Sequence, residues 1–113
     1  MNKLALVHLF HILIVGSLFL YIGIKKTEIP LWMYPTLVIL GIIIILYHSY
    51  LIYVRTKKGI PAWINYIHVF LIGPLLVYIG IYKTHTKRRF FEILLMLGFA
   101  SIGYHGYYLF SKT

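Results

Sequence analysis

Residues 11–53 align on residues 68–110 without a gap, at an offset of 57, and 16 of the 43 aligned positions are identical. The matched landmarks are His11/His68, Gly16/Gly73, Leu18/Leu75, Lys26/Lys83, Thr27/Thr84, Leu37/Leu94, Gly41/Gly98 and His48/His105, with Tyr21-Ile22-Gly23-Ile24 answering Tyr78-Ile79-Gly80-Ile81. Agreement at that density marks an internal repeat, so the fold must be one plan used twice.

Each copy contains two apolar runs. The first, residues 4–24, spans about 31 Å as a helix, enough to cross a hydrocarbon core of roughly 30 Å. A mean hydropathy of +0.87, with 61% hydrophobic and 12% charged residues, is incompatible with a soluble domain of 113 residues, which needs more polar surface. The solvent expected is therefore a bilayer. A cleaved signal peptide competes for the first run, with Lys3 as its charged region and Val15-Gly16-Ser17 as its cleavage site. The recurrence of that run in mid-chain argues against it.

The expected architecture is an all-α, integral membrane four-helix bundle forming one transmembrane domain over residues 1–113. It comprises two tandem two-helix repeats, 4–54 and 61–110, related by a pseudo-twofold axis along the membrane normal. Helices are expected at about 4–24, 35–54, 61–82 and 90–110, running up-down-up-down because the connectors are short. Trp32 and Tyr34 read as interfacial aromatics, as do Tyr47, Tyr50, Tyr53, Tyr104, Tyr107 and Tyr108. Gly73-Pro74 predicts a kink inside the third helix. Glu92 reads as a carboxylate complementing a helix N-terminus and Arg88 or Arg89.

Eleven basic residues against two acidic ones give a net charge of +9, and no Lys or Arg interrupts an apolar run. Lys3, Arg55, Lys57, Lys58 and Lys112 fall on the side of the termini; Lys25, Lys26, Lys83, Lys87, Arg88 and Arg89 fall on the other. So even a division sets no orientation by loop charge. The charge forms no stripe, which excludes nucleic acid and leaves anionic lipid headgroups as the expected partner, with a homo-oligomer allowed. Without cysteine, disulfides, iron–sulfur clusters and thiolate ligation are excluded.

The residues that carry chemistry are four histidines. His11 and His68 lie about seven residues from the start of their helices, and His48 and His105 about five or six from the end of theirs. At 1.5 Å per residue all four lie roughly 8 to 11 Å below the face of the termini. His11, Leu18 and Ile22 share a helix face, as do Leu37, Gly41 and His48, and the second copy repeats both stripes. Gly41 and Gly98 are read as leaving room beside the imidazoles, and Gly16/Gly23 and Gly73/Gly80 as a separate seam for helix contact. His8 faces Asn65 in the repeat and is read as interfacial; His85 is read as a loop residue.

Neutral imidazole is a nitrogen ligand for iron, zinc or copper, and paired histidines hold haem between helices in many b-type cytochromes. The primary expectation is thus haem b or a transition metal serving electron transfer, ligated by His11, His48, His68 and His105 with Gly41 and Gly98 beside them. The haem pairs expected are His11 with His68 or His48 with His105. A histidine-lined proton or metal-ion pathway is the alternative, although nothing polar continues the route beyond the layer. A structural membrane protein with histidines as interhelical contacts is the third. Enzyme chemistry has no motif: Ser17, Ser49 and Ser101 lack a paired base, and only Glu92 brings a carboxylate to the edge of a span.

The strings Leu9-Phe10-His11 through Leu20-Tyr21-Ile22-Gly23, and Leu46-Tyr47-His48-Ser49-Tyr50, resemble those of small four-span membrane proteins encoded by large DNA viruses of algae. That resemblance covers most of the chain. It implies a virion or host-cell membrane and carries no activity.

Overall fold

The structure is a computed structural model that describes residues 2–111; Lys112, one of the terminus-side charges, lies outside them. Among the described residues the chain is helical, without strands. Four helices are long and apolar enough to cross a membrane: α1 Lys3–Glu28, α2 Met33–Lys57, α3 Trp63–His85 and α4 Arg88–Ser111. Large apolar side chains such as Phe70 and Phe110 stand on the outside, a surface that suits hydrocarbon and not water.

The helix ends follow from local chemistry. Asn2 caps α1, its side-chain oxygen accepting from the Ala5 amide at 2.7 Å. In α1 and α3 the regular helix closes on a lysine of positive φ, Lys26 at 55° and Lys83 at 53°. The backbone amides of these lysines donate to Ile22 O and Ile79 O respectively, and a single 3-10 turn completes each helix. A left-handed lysine costs on the order of 1 to 3 kcal/mol, so each turn is held by what surrounds it. Lys26 Nζ offsets part of that cost by donating to Gly23 O at 3.0 Å. Between α2 and α3, Gly59 takes φ 69°, and Arg55 Nε donates to Pro61 O at 3.0 Å across the turn.

Both α1 and α3 widen into a π-helical segment at the histidine, His11–Gly16 and His68–Ile72. The cause common to both is competition for a carbonyl. His11 Nδ1 donates to Val7 O at 2.8 Å and His68 Nδ1 to Ile64 O at 2.7 Å, carbonyls that the backbone amides of the same histidines also use. A side chain inserted into the ladder loosens the next turn. Pro74, expected to disturb α3 alone, follows a distortion that α1 shares with Ser17 in the corresponding place.

Packing divides the chain differently from the repeat boundaries. One compact unit joins Met1–Glu28 to Lys87–Thr113, and the other is Ile29–Thr86. The first therefore contains α1 with α4 and the second α2 with α3, each an antiparallel pair.

In the first unit Phe19, Ile22, Phe91 and Leu94 are enclosed. A Cβ at Gly23 would lie 2.6 Å from Leu95 Cβ, one at Gly16 2.6 Å from Ile102 Cγ1, and one at Gly98 3.1 Å from the Leu20 amide. In the second unit Tyr34, Leu37, Leu76 and Ile79 are enclosed, and a Cβ at Gly41 would lie 2.7 Å from Gly73 O. These contacts correct two expectations. Gly41 and Gly98 leave no room for a ligand, because the facing helix occupies the space beside them. Gly16, Gly23, Gly73 and Gly80 do lie at helix contacts, as expected of the seam, but the seam is not separate from Gly41, which packs directly on Gly73 of α3. In a bilayer, where lipid tails solvate apolar side chains as well as those side chains solvate each other, such close approach and the dispersion it allows would hold helix pairs together.

Tyr34 is a third correction. Expected among interfacial aromatics, it is fully enclosed, and a Cβ at Gly80 would lie 2.6 Å from its carbonyl oxygen. Glu92 pairs with Arg88 Nε at 3.1 Å, an exposed i,i+4 pair of the kind worth a few tenths of a kcal/mol.

Candidate functional site

Each unit gathers polar side chains at the end where one helix begins and its partner finishes. In the first unit His8 and His11 of α1 meet His105 of α4. The His11 and His105 rings stack at 4.2 Å between centroids with 20° between their planes. On its other side His105 Nδ1 meets His8 Nδ1 at 2.9 Å, one nitrogen donating and the other accepting. His8 and His105 are 8% and 9% exposed, so this contact is closed to solvent. Tyr108 stacks on His8 at 6.3 Å, and Tyr104 meets His105 edge-on at 5.1 Å.

The second unit repeats the arrangement with one substitution. His48 of α2 and His68 of α3 stack at 4.0 Å with 16° between planes. His48 Nδ1 donates to Asn65 Oδ1 at 2.8 Å, and Asn65 is 3% exposed. Tyr47 lies edge-on to His48 at 5.3 Å.

Two consequences follow for protonation. A carbonyl only accepts, so the Nδ1 of His11 and of His68 carries the hydrogen, and the lone pair of each neutral ring sits on Nε2. His48 is in the same tautomer, because it donates to the amide oxygen. The His8–His105 pair must hold opposite tautomers: only one hydrogen fits between two nitrogens at 2.9 Å.

Beyond each cluster, toward the connectors on the far side, the enclosed side chains are mostly apolar. Phe19, Ile22, Phe91 and Leu94 fill the first unit, and Leu37, Leu76 and Ile79 the second. Among the described residues, Ser101 extends the first cluster by one turn, its hydroxyl donating to His11 O at 3.5 Å; in the second unit the enclosed polar side chains beyond the cluster are Thr86, which donates to Ile79 O, and Tyr34, whose hydroxyl is enclosed without a hydrogen-bond partner.

All four histidines singled out from the sequence lie in these clusters, paired within units as His11 with His105 and His48 with His68. His85 is exposed. His8 and Asn65, read as the less constrained pair, turn out to be the hydrogen-bond partners of His105 and His48. A signal for them was present in the sequence: they are repeat-equivalent, both are polar in an apolar run, and each precedes a histidine by three residues on the same helix face. Among the described residues, no three His, Cys, Asp or Glu side chains converge as they stand on a point that could hold a metal ion.

Compared with family models, curated proteins and solved structures, the chain has no match.

Proposed function

We propose that the chain is an internally duplicated, multi-pass membrane protein whose imidazole clusters bind a transition metal and serve one-electron transfer. The observation that carries this is the orientation of His11 and His68. Each ring donates Nδ1–H to a backbone carbonyl, at 2.8 and 2.7 Å, which fixes Nε2 as the basic nitrogen. Metal-binding histidines are held by this second hydrogen bond, which sets the tautomer and raises the basicity of the ligand. Two features support a resident metal over a pathway: the apolar layers that close each unit, and the absence of carboxylates from the clusters.

A metal ion suits the rings of each unit better than haem does. Two axial imidazoles stand end-on to a porphyrin, their ligating nitrogens about 4 Å apart, twice a metal–nitrogen bond of about 2.0–2.1 Å. Rings stacked face to face at 4.2 and 4.0 Å have no such plane between them.

In this proposal the two repeats are related by a pseudo-twofold axis along the membrane normal, both termini lie on one side, and headgroup phosphates neutralise the basic connectors. Thiol labelling of cysteines placed at Asn2 and Lys57 from one side, and at Glu28 and His85 from the other, tests that topology. Labelling of Asn2→Cys and Lys57→Cys from opposite sides contradicts it.

The functional test is metal analysis of the purified protein with absorption spectra of the oxidised and dithionite-reduced forms. A stoichiometric transition metal is expected, lost when the cluster histidines of both units are replaced by alanine. Haem would instead appear as a Soret band that sharpens on reduction. Protein expressed with both haem and metals supplied, yet containing neither, refutes the cofactor.

The imidazole–imidazole hydrogen bond of the first unit favours a second reading, a cluster that accepts protons from the end where it lies. Acid-driven proton flux into liposomes, abolished by the same substitutions in metal-free protein, distinguishes this reading.

A further inference from the structure

The two units differ at one place that bears directly on ligation. Where the first sets an imidazole nitrogen of His8 against His105 Nδ1, the second sets the amide oxygen of Asn65 against His48 Nδ1. We propose that the unit of α1 and α4 holds a single monovalent copper ion between the Nδ1 atoms of His8 and His105, and that Asn65 keeps the equivalent place metal-free. This rests on the preceding proposal that the imidazoles bind a transition metal, and it assigns the ion and the unit.

The stacked pairs are not the chelating pairs. A nitrogen lone pair lies in the plane of its ring, so the lone pairs of rings stacked at 4.2 Å and 20° run side by side and do not meet. His8 and His105 have the opposite relation. Their centroids are 5.1 Å apart with planes tilted by 48°, and their Nδ1 atoms point at one another. The hydrogen bond uses one lone pair and one N–H; a cation that displaces the hydrogen uses both lone pairs. The 2.9 Å separation is shorter than the roughly 3.3 Å between two ligands of a tetrahedral ion with bonds of about 2.0–2.1 Å. It is shorter still than the separation around a linear ion. Ring rotation must therefore open the pair as the ion enters.

Charge selects the ion. Both ligands are neutral, and Glu28 and Glu92 lie at the far ends of α1 and α4, so nothing local compensates a cation 8 to 9% exposed at its ligands. The penalty for desolvating an ion grows with the square of its charge, which disfavours a divalent ion here. Imidazole is a ligand for copper, whereas an amide oxygen suits magnesium, calcium or manganese, so the exchange of His8 for Asn65 removes the affinity. The His11 ring covers the outer face of His105, and Tyr108 covers His8.

The test titrates purified full-length protein in nanodiscs with copper(I) against a chromogenic chelator and counts bound copper by atomic emission. Wild type is expected to bind one copper per chain. His8→Asn, which makes the first unit resemble the second, should weaken binding at least about tenfold. Asn65→His should raise the stoichiometry to two. The double variant His8→Asn/Asn65→His should again bind one. The gain in Asn65→His cannot arise from misfolding, so the assignment stays testable if His8→Asn proves unstable. One copper retained in His8→Asn with no gain in Asn65→His overturns the assignment but leaves a metal-binding layer. Uptake of zinc and not copper(I) overturns the choice of ion. No metal of any kind in wild type overturns both proposals.

Discussion

Gly23→Val is expected to destabilise the α1–α4 pair by about 3 kcal/mol or more, the largest stability loss of any single substitution considered. Even the first added carbon would lie 2.6 Å from Leu95 Cβ, 2.8 Å from its Cα and 2.9 Å from its amide nitrogen. Two of those three atoms are backbone, so no rotamer change relieves the clash and the helices must separate. Overpacking costs about 1 to 3 kcal/mol where side chains can adjust, and here they cannot. Lipid returns nothing for the lost contact except its own dispersion. Gly103→Ala is the control, because nothing lies within 4 Å of the Cβ position there. Relieved of a helix-interior glycine, that variant should gain about 0.5 to 1 kcal/mol. Reversible unfolding in mixed micelles compares the two, and equal tolerance of both would show that α1 and α4 do not approach at Gly23 as described.

The second large effect is non-additive. His105→Leu is expected to cost about 2 to 3 kcal/mol, because it strands His8 Nδ1 in a place only 8% exposed and removes the ring on which His11 stacks. A buried group left without its partner costs about 1 to 3 kcal/mol. Replacing the partner as well removes that penalty, so His8→Leu/His105→Leu should be more stable than His105→Leu alone. Interhelical hydrogen bonds in bilayers contribute only about 0.6 kcal/mol on average, so the double variant should lie within about 1 kcal/mol of wild type. The same unfolding assay reads all three proteins. A double variant less stable than either single one would mean that the imidazoles are not partners.

The four helices were legible because each is a long uninterrupted apolar run: one expected over 35–54 became Met33–Lys57, and one expected over 90–110 became Arg88–Ser111, lengths sufficient to cross a membrane. The four histidines were legible because imidazole is costly in an apolar segment and recurs at the aligned positions 11 and 68, and 48 and 105. The choice of helix partners was not legible. Repeat-equivalent helices carry nearly the same apolar stripes, so hydrophobic pattern alone does not distinguish α4 from α2 as the partner of α1. What distinguishes them is fit at particular atoms, Gly23 against the Leu95 backbone and Gly41 against Gly73 O, and that is invisible to periodicity. The same limit turned Gly41 and Gly98 into apparent space, and set Tyr34 in a belt although its side chain is enclosed. His8 and Asn65 were passed over because they differ in residue type. Physically they are alike, each able to satisfy one ring nitrogen across a helix pair.

The grouping of α1 with α4 imposes an order of assembly. α2 and α3 are neighbours in the chain and can dock as soon as the second of them has emerged from the ribosome. α1 precedes both, yet its partner begins only at Arg88. At about 5 to 20 residues per second, the first helix waits several seconds to more than ten for it. During that interval His8 and His11 sit in an apolar segment with no His105 to meet them, and a chain arrested before α4 retains that defect permanently. Only the arrival of α4 supplies the ring nitrogen that His8 meets and the ring on which His11 stacks.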